Sequence, residues 1–157
     1  MTIHPKVTIG HVHLTVADLD RSLAFYRDIL GFTITMRYGE SAVFLSAGGY
    51  HHHIGLNTWV GKGVASPPPN HSGLYHFAIL YPTRRELAKT LKRLINAEYP
   101  ISGASDHGVS EAIYLNDPDN IGVELYWDRP KKEWPTQDGK LAMVTEPLDL
   151  NELLGES

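Results

Sequence analysis

Nine histidines and no cysteine mean that a metal site in this 157-residue chain must be built from nitrogen and oxygen donors. Three side chains stand out. Glu124 lies in GVELYW, a period-two stretch whose other residues are mostly apolar or aromatic, and a carboxylate buried there needs a partner to stay ionised. His11, in GHVHLTV, and His76, in LYHFAIL, sit at matching places near the starts of two similar stretches, so a fold with pseudo-twofold symmetry would present them alike around one cleft. Two histidines and one carboxylate make the facial triad that leaves open positions on Fe(II), Mn(II) or a related ion.

The elements that must position these residues follow from periodicity. Val7 to Val16 alternates polar and apolar residues as a half-buried strand does. Asp18 precedes LDRSLAFYRDIL, in which Leu19, Leu23, Tyr26 and Leu30 share one helical face and which Gly31 stops. Strands are predicted over Phe32 to Tyr38, Ala42 to Ser46 and His52 to Thr58, giving a βαβββ order. The segment Trp59 to Ser72, with three successive prolines, reads as a linker. The order then repeats with a strand at Leu74 to Leu80, a helix over Arg84 to Asn96 and strands near Tyr99 to Ser105, Glu111 to Asn116 and Ile121 to Trp127. Laying His11 on His76, 65 residues apart, pairs Leu14 with Ile79, Leu23 with Ala88 and Leu30 with Ile95. Farther on, AVFLSAGG from Ala42 matches AIYLNDPD from Ala112 at a spacing of 70. The fold class is therefore α+β with a duplicated βαβββ unit. The expected boundaries are a domain over 1–130, with modules at about 7–58 and 74–127 and a linker at 59–72, and a tail over 131–157 in which PLDLNELL forms one docked helix.

The formal charge of −4 gives no reason to expect nucleic acid, the start lacks a signal-peptide pattern, and no apolar run is long enough to span a membrane. A cytoplasmic protein is the expectation.

His11 to Phe32 (HVHLTVADLDRSLAFYRDILGF), Tyr75-His76-Phe77 and DPDNIGVELY from Asp117 to Tyr126 together closely resemble the vicinal oxygen chelate superfamily, which holds glyoxalase I, extradiol dioxygenases and fosfomycin and bleomycin resistance proteins. The resemblance implies two modules forming a half-open barrel around a divalent metal, held by His11, His76 and Glu124. Glyoxalase I places a fourth ligand, a glutamate, where this chain has Gly55 or Ile54, neither of which binds metal. Three protein ligands favour chemistry in which the substrate itself chelates, as in the extradiol dioxygenases. Resemblance to that group implies an acid/base histidine at His52 or His53, in the run Tyr50 to His53 that opens a predicted strand, and strand register leaves the choice between them open. It also implies that Tyr114 hydrogen-bonds a catecholate oxygen, and that His107 is a second-sphere histidine once two residues are inserted in the alignment. His13 reads as a satisfied core residue, and Trp59, Trp127 and Trp134 as core rather than pocket walls.

The implied activity is ring cleavage of a catechol-like diol by dioxygen on Fe(II), with Mn(II) as the other candidate. Many such enzymes have about twice this length, and a homodimer could supply the missing half. Competing readings are a lyase, isomerase or epimerase on Zn, Ni or Co, which Gly55 weighs against in its glyoxalase form, and a metal-free binding protein, which the complete ligand set weighs against.

Overall fold

The computed structural model describes residues 2–68 and 70–157, so Pro69 of the predicted linker lies outside the described residues. The chain divides into two compact units, Met1–Ser66 and Pro67–Ser157.

In the first unit β1 (Val12–Thr15) is followed by α1 (Leu19–Leu23), a π-helical turn (Ala24–Ile29), β2 (Thr33–Tyr38), β3 (Ala42–Ser46) and β4 (Ile54–Asn57). The sheet order is β1-β4-β3-β2, with β1 parallel to β4 and the remaining pairs antiparallel. Asp18 caps α1 by accepting from the Arg21 amide at 2.8 Å. Leu14, Leu23, Phe25, Tyr26, Leu45 and Leu56 are buried in this unit.

The predicted first strand is longer than the observed one. Val7 and Ile9 are 57% and 90% exposed, and the strand is regular only from Val12, where the four residues of β4 are there to pair with it. The single α-helix expected through Leu30 is also corrected: the Leu30 amide bonds to the Phe25 carbonyl at 3.0 Å, five residues back. Such a turn takes in one extra residue.

In the second unit β5 (Phe77–Leu80), α2 (Arg84–Asn96), β6 (Gly103–Asp106), β7 (Ser110–Asn116) and β8 (Gly122–Asp128) repeat the order. Thr83 caps α2 by accepting from the Glu86 amide. β5 is parallel to β8, and the core strands again run in the order 1-4-3-2 of their own unit. The duplication holds in topology, but one pairing in it fails. Leu23 and Ala88 are both buried, whereas Leu30 is buried and Ile95 is 46% exposed. The extra residue of the π turn moves the match to Leu94, which is fully buried.

The tail does more than form one helix. β9 (Thr136–Gln137) and β10 (Lys140–Leu141) make a small hairpin, β11 (Glu146–Pro147) adds antiparallel to β6, and α3 (Leu150–Leu154) packs on α2. Arg84 at the start of α2 reaches Glu152 and Glu156 on one side and Glu111 of β7, at 2.7 Å, on the other. The first half of the expected linker belongs to the first unit, where the Gly63 amide bonds to the Ala17 carbonyl at 2.8 Å. No helix among the described residues is long and apolar enough to cross a membrane.

Candidate functional site

In the second unit, alternation along β8 buries Val123 and Leu125 and leaves Glu124 on the other face, paired with Tyr114 on β7 and in parallel register with Ala78 on β5. His76 stands immediately before β5. A Cβ on Gly122 would lie 2.1 Å from the Tyr75 carbonyl oxygen, so the bare glycine lets the Tyr75–His76 backbone pass close over β8. The result is a contact of 2.9 Å between His76 Nε2 and Glu124 Oε2.

Two further groups extend this pair. The Tyr114 hydroxyl lies 3.1 Å from Glu124 Oε1 and 2.6 Å from His107 Nε2. His107 sits in the β6–β7 hairpin, where its amide bonds to the Ser110 carbonyl at 2.8 Å and Gly108 takes a φ of +73°. Burial, and then the charge of Glu124, push the Tyr114 phenol up to about 12, so it keeps its proton. The family resemblance reaches His107 only with a two-residue insertion, whereas the hairpin carries it to Tyr114 directly.

The first unit holds the other candidates. His11 precedes β1 and packs against His52, with ring centroids 4.3 Å apart. His52 Nε2 is buried without a hydrogen-bond partner, and its Nδ1 is 2.7 Å from His51 Nδ1. Burial first, then His11 and its neighbours in the histidine run, hold the His52 imidazole below its ordinary value. His53 is engaged elsewhere: its Nδ1 lies 3.1 Å from Ser46 Oγ and accepts from the Ala47 amide at 3.3 Å, closing the turn between β3 and β4. The histidine run thus precedes the regular strand instead of opening it, and of the two candidates it is His52 that sits beside His11.

Gly55 rather than Ile54 is the counterpart of Glu124. Phe44 and Tyr114 match at the spacing of 70, Phe44 pairs with Gly55, and Tyr114 pairs with Glu124. His13 fills the space a side chain at 55 would need, with ring atoms 2.9–3.0 Å from the position of a Cβ. His13 is not a core residue: the residue is exposed, but its ring is partly covered by Phe44 and Trp59, and this partial desolvation, followed by His11, lowers its pKa. The tryptophans are not core either. Trp59 is 60% exposed, Trp127 lies under the Arg129 guanidinium, and Trp134 Nε1 donates to the Arg129 carbonyl at 2.8 Å.

Among the described residues no group of three or more histidine, aspartate or glutamate side chains stands ready to hold a metal ion. The assembled donor pair is His76 and Glu124. Nitrogen and oxygen ligands at about 2.1 Å from an ion and at right angles lie about 3.0 Å apart. The 2.9 Å between His76 Nε2 and Glu124 Oε2 matches that spacing, so an ion could take the place of this contact with little movement of either side chain.

Comparison with known proteins decides the family. The family described as Glyoxalase/Bleomycin resistance protein/Dioxygenase superfamily matches residues 8–125. The chain belongs to this superfamily. Among its members, the chain is 41% identical over 157 residues to a catechol-2,3-dioxygenase of Bacillus subtilis, covering 99% of this chain and 54% of that protein. It is 29% identical over 128 residues to a biphenyl-2,3-diol 1,2-dioxygenase 3 of Rhodococcus globerulus, covering 82% and 66% of the two chains. The chain therefore spans about half the length of the Bacillus relative and two thirds of the Rhodococcus one. A glyoxalase/dioxygenase from Nostoc punctiforme superposes with a TM-score of 0.68 at 18% identity, over 83% of this chain and 98% of that one, which shows the shared fold.

Proposed function

We propose that this superfamily member is a metal-dependent extradiol-type dioxygenase that cleaves a catechol-like aromatic diol with dioxygen, with His11, His76 and Glu124 as the ligands of Fe(II) or Mn(II). The observation that carries the reading is the His76–Glu124 donor pair continued by Tyr114 and His107. The 41% identity to a protein named catechol-2,3-dioxygenase supports the substrate class. When bound, the metal would offer both diol oxygens and dioxygen one common site and a route for electrons between them. His52 presents Nε2, buried and without a partner, as the atom that takes a proton from a diol hydroxyl. Tyr114 keeps a phenolic proton between Glu124 and His107, from which it is delivered to a diol oxygen during ring opening.

The test is the elemental content of protein purified anaerobically without an affinity tag, beside Glu124→Ala prepared identically, followed by turnover of catechols under oxygen. About one Fe or Mn per chain, absent from the variant, together with ring cleavage is the expected result. Zn, Ni or Co, or no metal after reconstitution, would refute it.

A further inference from the structure

We propose that the C-terminal tail sets the tautomer of His107, fixing the proton on Nδ1 so that Nε2 is an acceptor for the Tyr114 hydroxyl. His107 Nδ1 lies 2.9 Å from the Val144 carbonyl oxygen and, more distantly at 3.4 Å, from the Thr145 hydroxyl oxygen, which can accept from the same hydrogen. A carbonyl only accepts, so the ring nitrogen facing it must carry the hydrogen. The same tail residue is tied back at its amide, which donates to the His107 carbonyl at 3.1 Å, so Val144 holds both the backbone and the ring of His107. A neutral imidazole protonated at Nδ1 presents a lone pair at Nε2, 2.6 Å from the Tyr114 oxygen.

The consequence lies in a count of protons. Tyr114 has one hydroxyl hydrogen and two acceptors, His107 Nε2 at 2.6 Å and Glu124 Oε1 at 3.1 Å. With Nδ1 committed to Val144, Nε2 is free to accept, and the one phenolic hydrogen is shared between His107 Nε2 at the shorter distance and Glu124 Oε1 at the longer, so Glu124 is only partly engaged by Tyr114. The opposite tautomer would donate from Nε2 to the Tyr114 oxygen and turn the phenolic hydrogen onto Glu124.

The hairpin is built to hold this arrangement. A Cβ on Gly108 would lie 2.8 Å from Pro135 and 3.3 Å from Val144, so the tail lies tight against the turn. Arg129 bonds to Asp106 at 2.7 Å and to Glu111 at 2.6 Å, clamping both legs of the hairpin, and its amide bonds to the Val109 carbonyl. Val144 and Arg129 are thus positioning residues for His107.

The catalytic consequence rests on the dioxygenase reading, but the tautomer can be read without substrate. The experiment is a two-bond proton–nitrogen correlation spectrum of the full-length, metal-free chain with labelled histidines, at a pH where His107 is neutral, with His107→Gln identifying its signals. A protonated Nδ1 and an unprotonated Nε2 are expected. A proton on Nε2, or averaged shifts from exchange between tautomers, would overturn the proposal. Val144→Pro removes the amide bond to His107 and displaces the carbonyl, so averaging of the His107 shifts is expected in that variant. An unchanged pattern in folded Val144→Pro would overturn the tail's role, and if that variant does not fold, the spectrum of the unsubstituted chain decides. Failure of catechol turnover would leave the spectrum unaltered, so the two readings fail separately.

Discussion

Gly122→Ala isolates the step on which the donor pair depends. The added Cβ would stand 2.1 Å from the Tyr75 carbonyl oxygen, 3.0 Å from His76 Cβ and 3.1 Å from the Tyr75 carbonyl carbon. The first of these must open by about 1.3 Å to reach an ordinary contact of 3.4 Å. Because the obstacle is backbone, no rotamer change relieves it. The segment bearing His76 must lift from β8, and a 2.9 Å contact with Glu124 does not survive a shift of that size. Overpacking costs about 1–3 kcal/mol, and alanine returns roughly 0.4–1 kcal/mol through the unfolded chain, so a net loss of about 1–2 kcal/mol is expected. Metal affinity is expected to fall about 10–100-fold, the effect of disturbing the support of a ligand. Urea unfolding reads the first quantity and calorimetric titration with Mn(II) the second. Gly103→Ala is the control, since nothing lies within 4 Å of its Cβ, and it should leave both unchanged or gain slightly in stability. If Gly122→Ala unfolds with the parent chain and binds Mn(II) equally well, the close-approach argument is wrong.

Gly55→Ala meets the His13 ring at 2.9 Å, but that residue is exposed and its ring can swing away, so a cost below about 1 kcal/mol is expected in thermal or urea unfolding. A larger loss would mean that His13 is held more firmly than its surroundings indicate. Glu111, with a side chain only 3% exposed between Arg84 and Arg129, is expected to lose about 3–5 kcal/mol on Glu111→Ala because two guanidiniums lose a shared partner; a urea midpoint near that of the parent would contradict this. His53→Ala should lose about 1 kcal/mol with its bonds to the β3–β4 turn and keep turnover. His52→Ala should stay within about 0.5 kcal/mol of the parent in stability while turnover collapses. The reverse pattern would transfer the acid/base role to His53.

The fold was legible where one element suffices to specify itself. The helix over Arg84 to Asn96 and the strand over Ala42 to Ser46 are found at the expected bounds because capping and periodicity are local signals. The strands predicted over Val7 to Val16 and Leu74 to Leu80 overrun the observed ones because alternation does not reveal how many residues the partner strand offers. The π turn at Ala24–Ile29 leaves the apolar face intact through Tyr26 and slips it by one residue afterwards, which a fixed helical period cannot register. At the candidate site, His76 is legible through its match to His11 in the internal repeat and Glu124 as a carboxylate in a period-two stretch, whereas Tyr114 and His107 come only with the family resemblance. Val144 is legible in neither way: it acts through backbone atoms from a tail with little pattern of its own, and its identity leaves no trace in the motif.

The duplicated architecture offers two equivalent places for a carboxylate, and the registers explain why this chain carries one only at Glu124. In the second unit Glu124 faces Ala78 across β5 and β8, and the small side chain leaves Glu124 open to His76 and Tyr114. In the first unit the corresponding pair is Gly55 and His13, and the imidazole occupies the volume that a side chain at 55 would enter. Tyr114 offers Glu124 a hydroxyl, while its counterpart Phe44 offers Gly55 only a ring edge for His13 to pack on. The three changes belong together: without a carboxylate, the first unit needs neither a hydroxyl on β3 nor a small residue on β1. The lack of a carboxylate at Gly55 is therefore not one missing residue but a position refilled by the His13 ring against Phe44 and Trp59, and under the proposed function substrate oxygens rather than a second glutamate would complete the coordination of a metal.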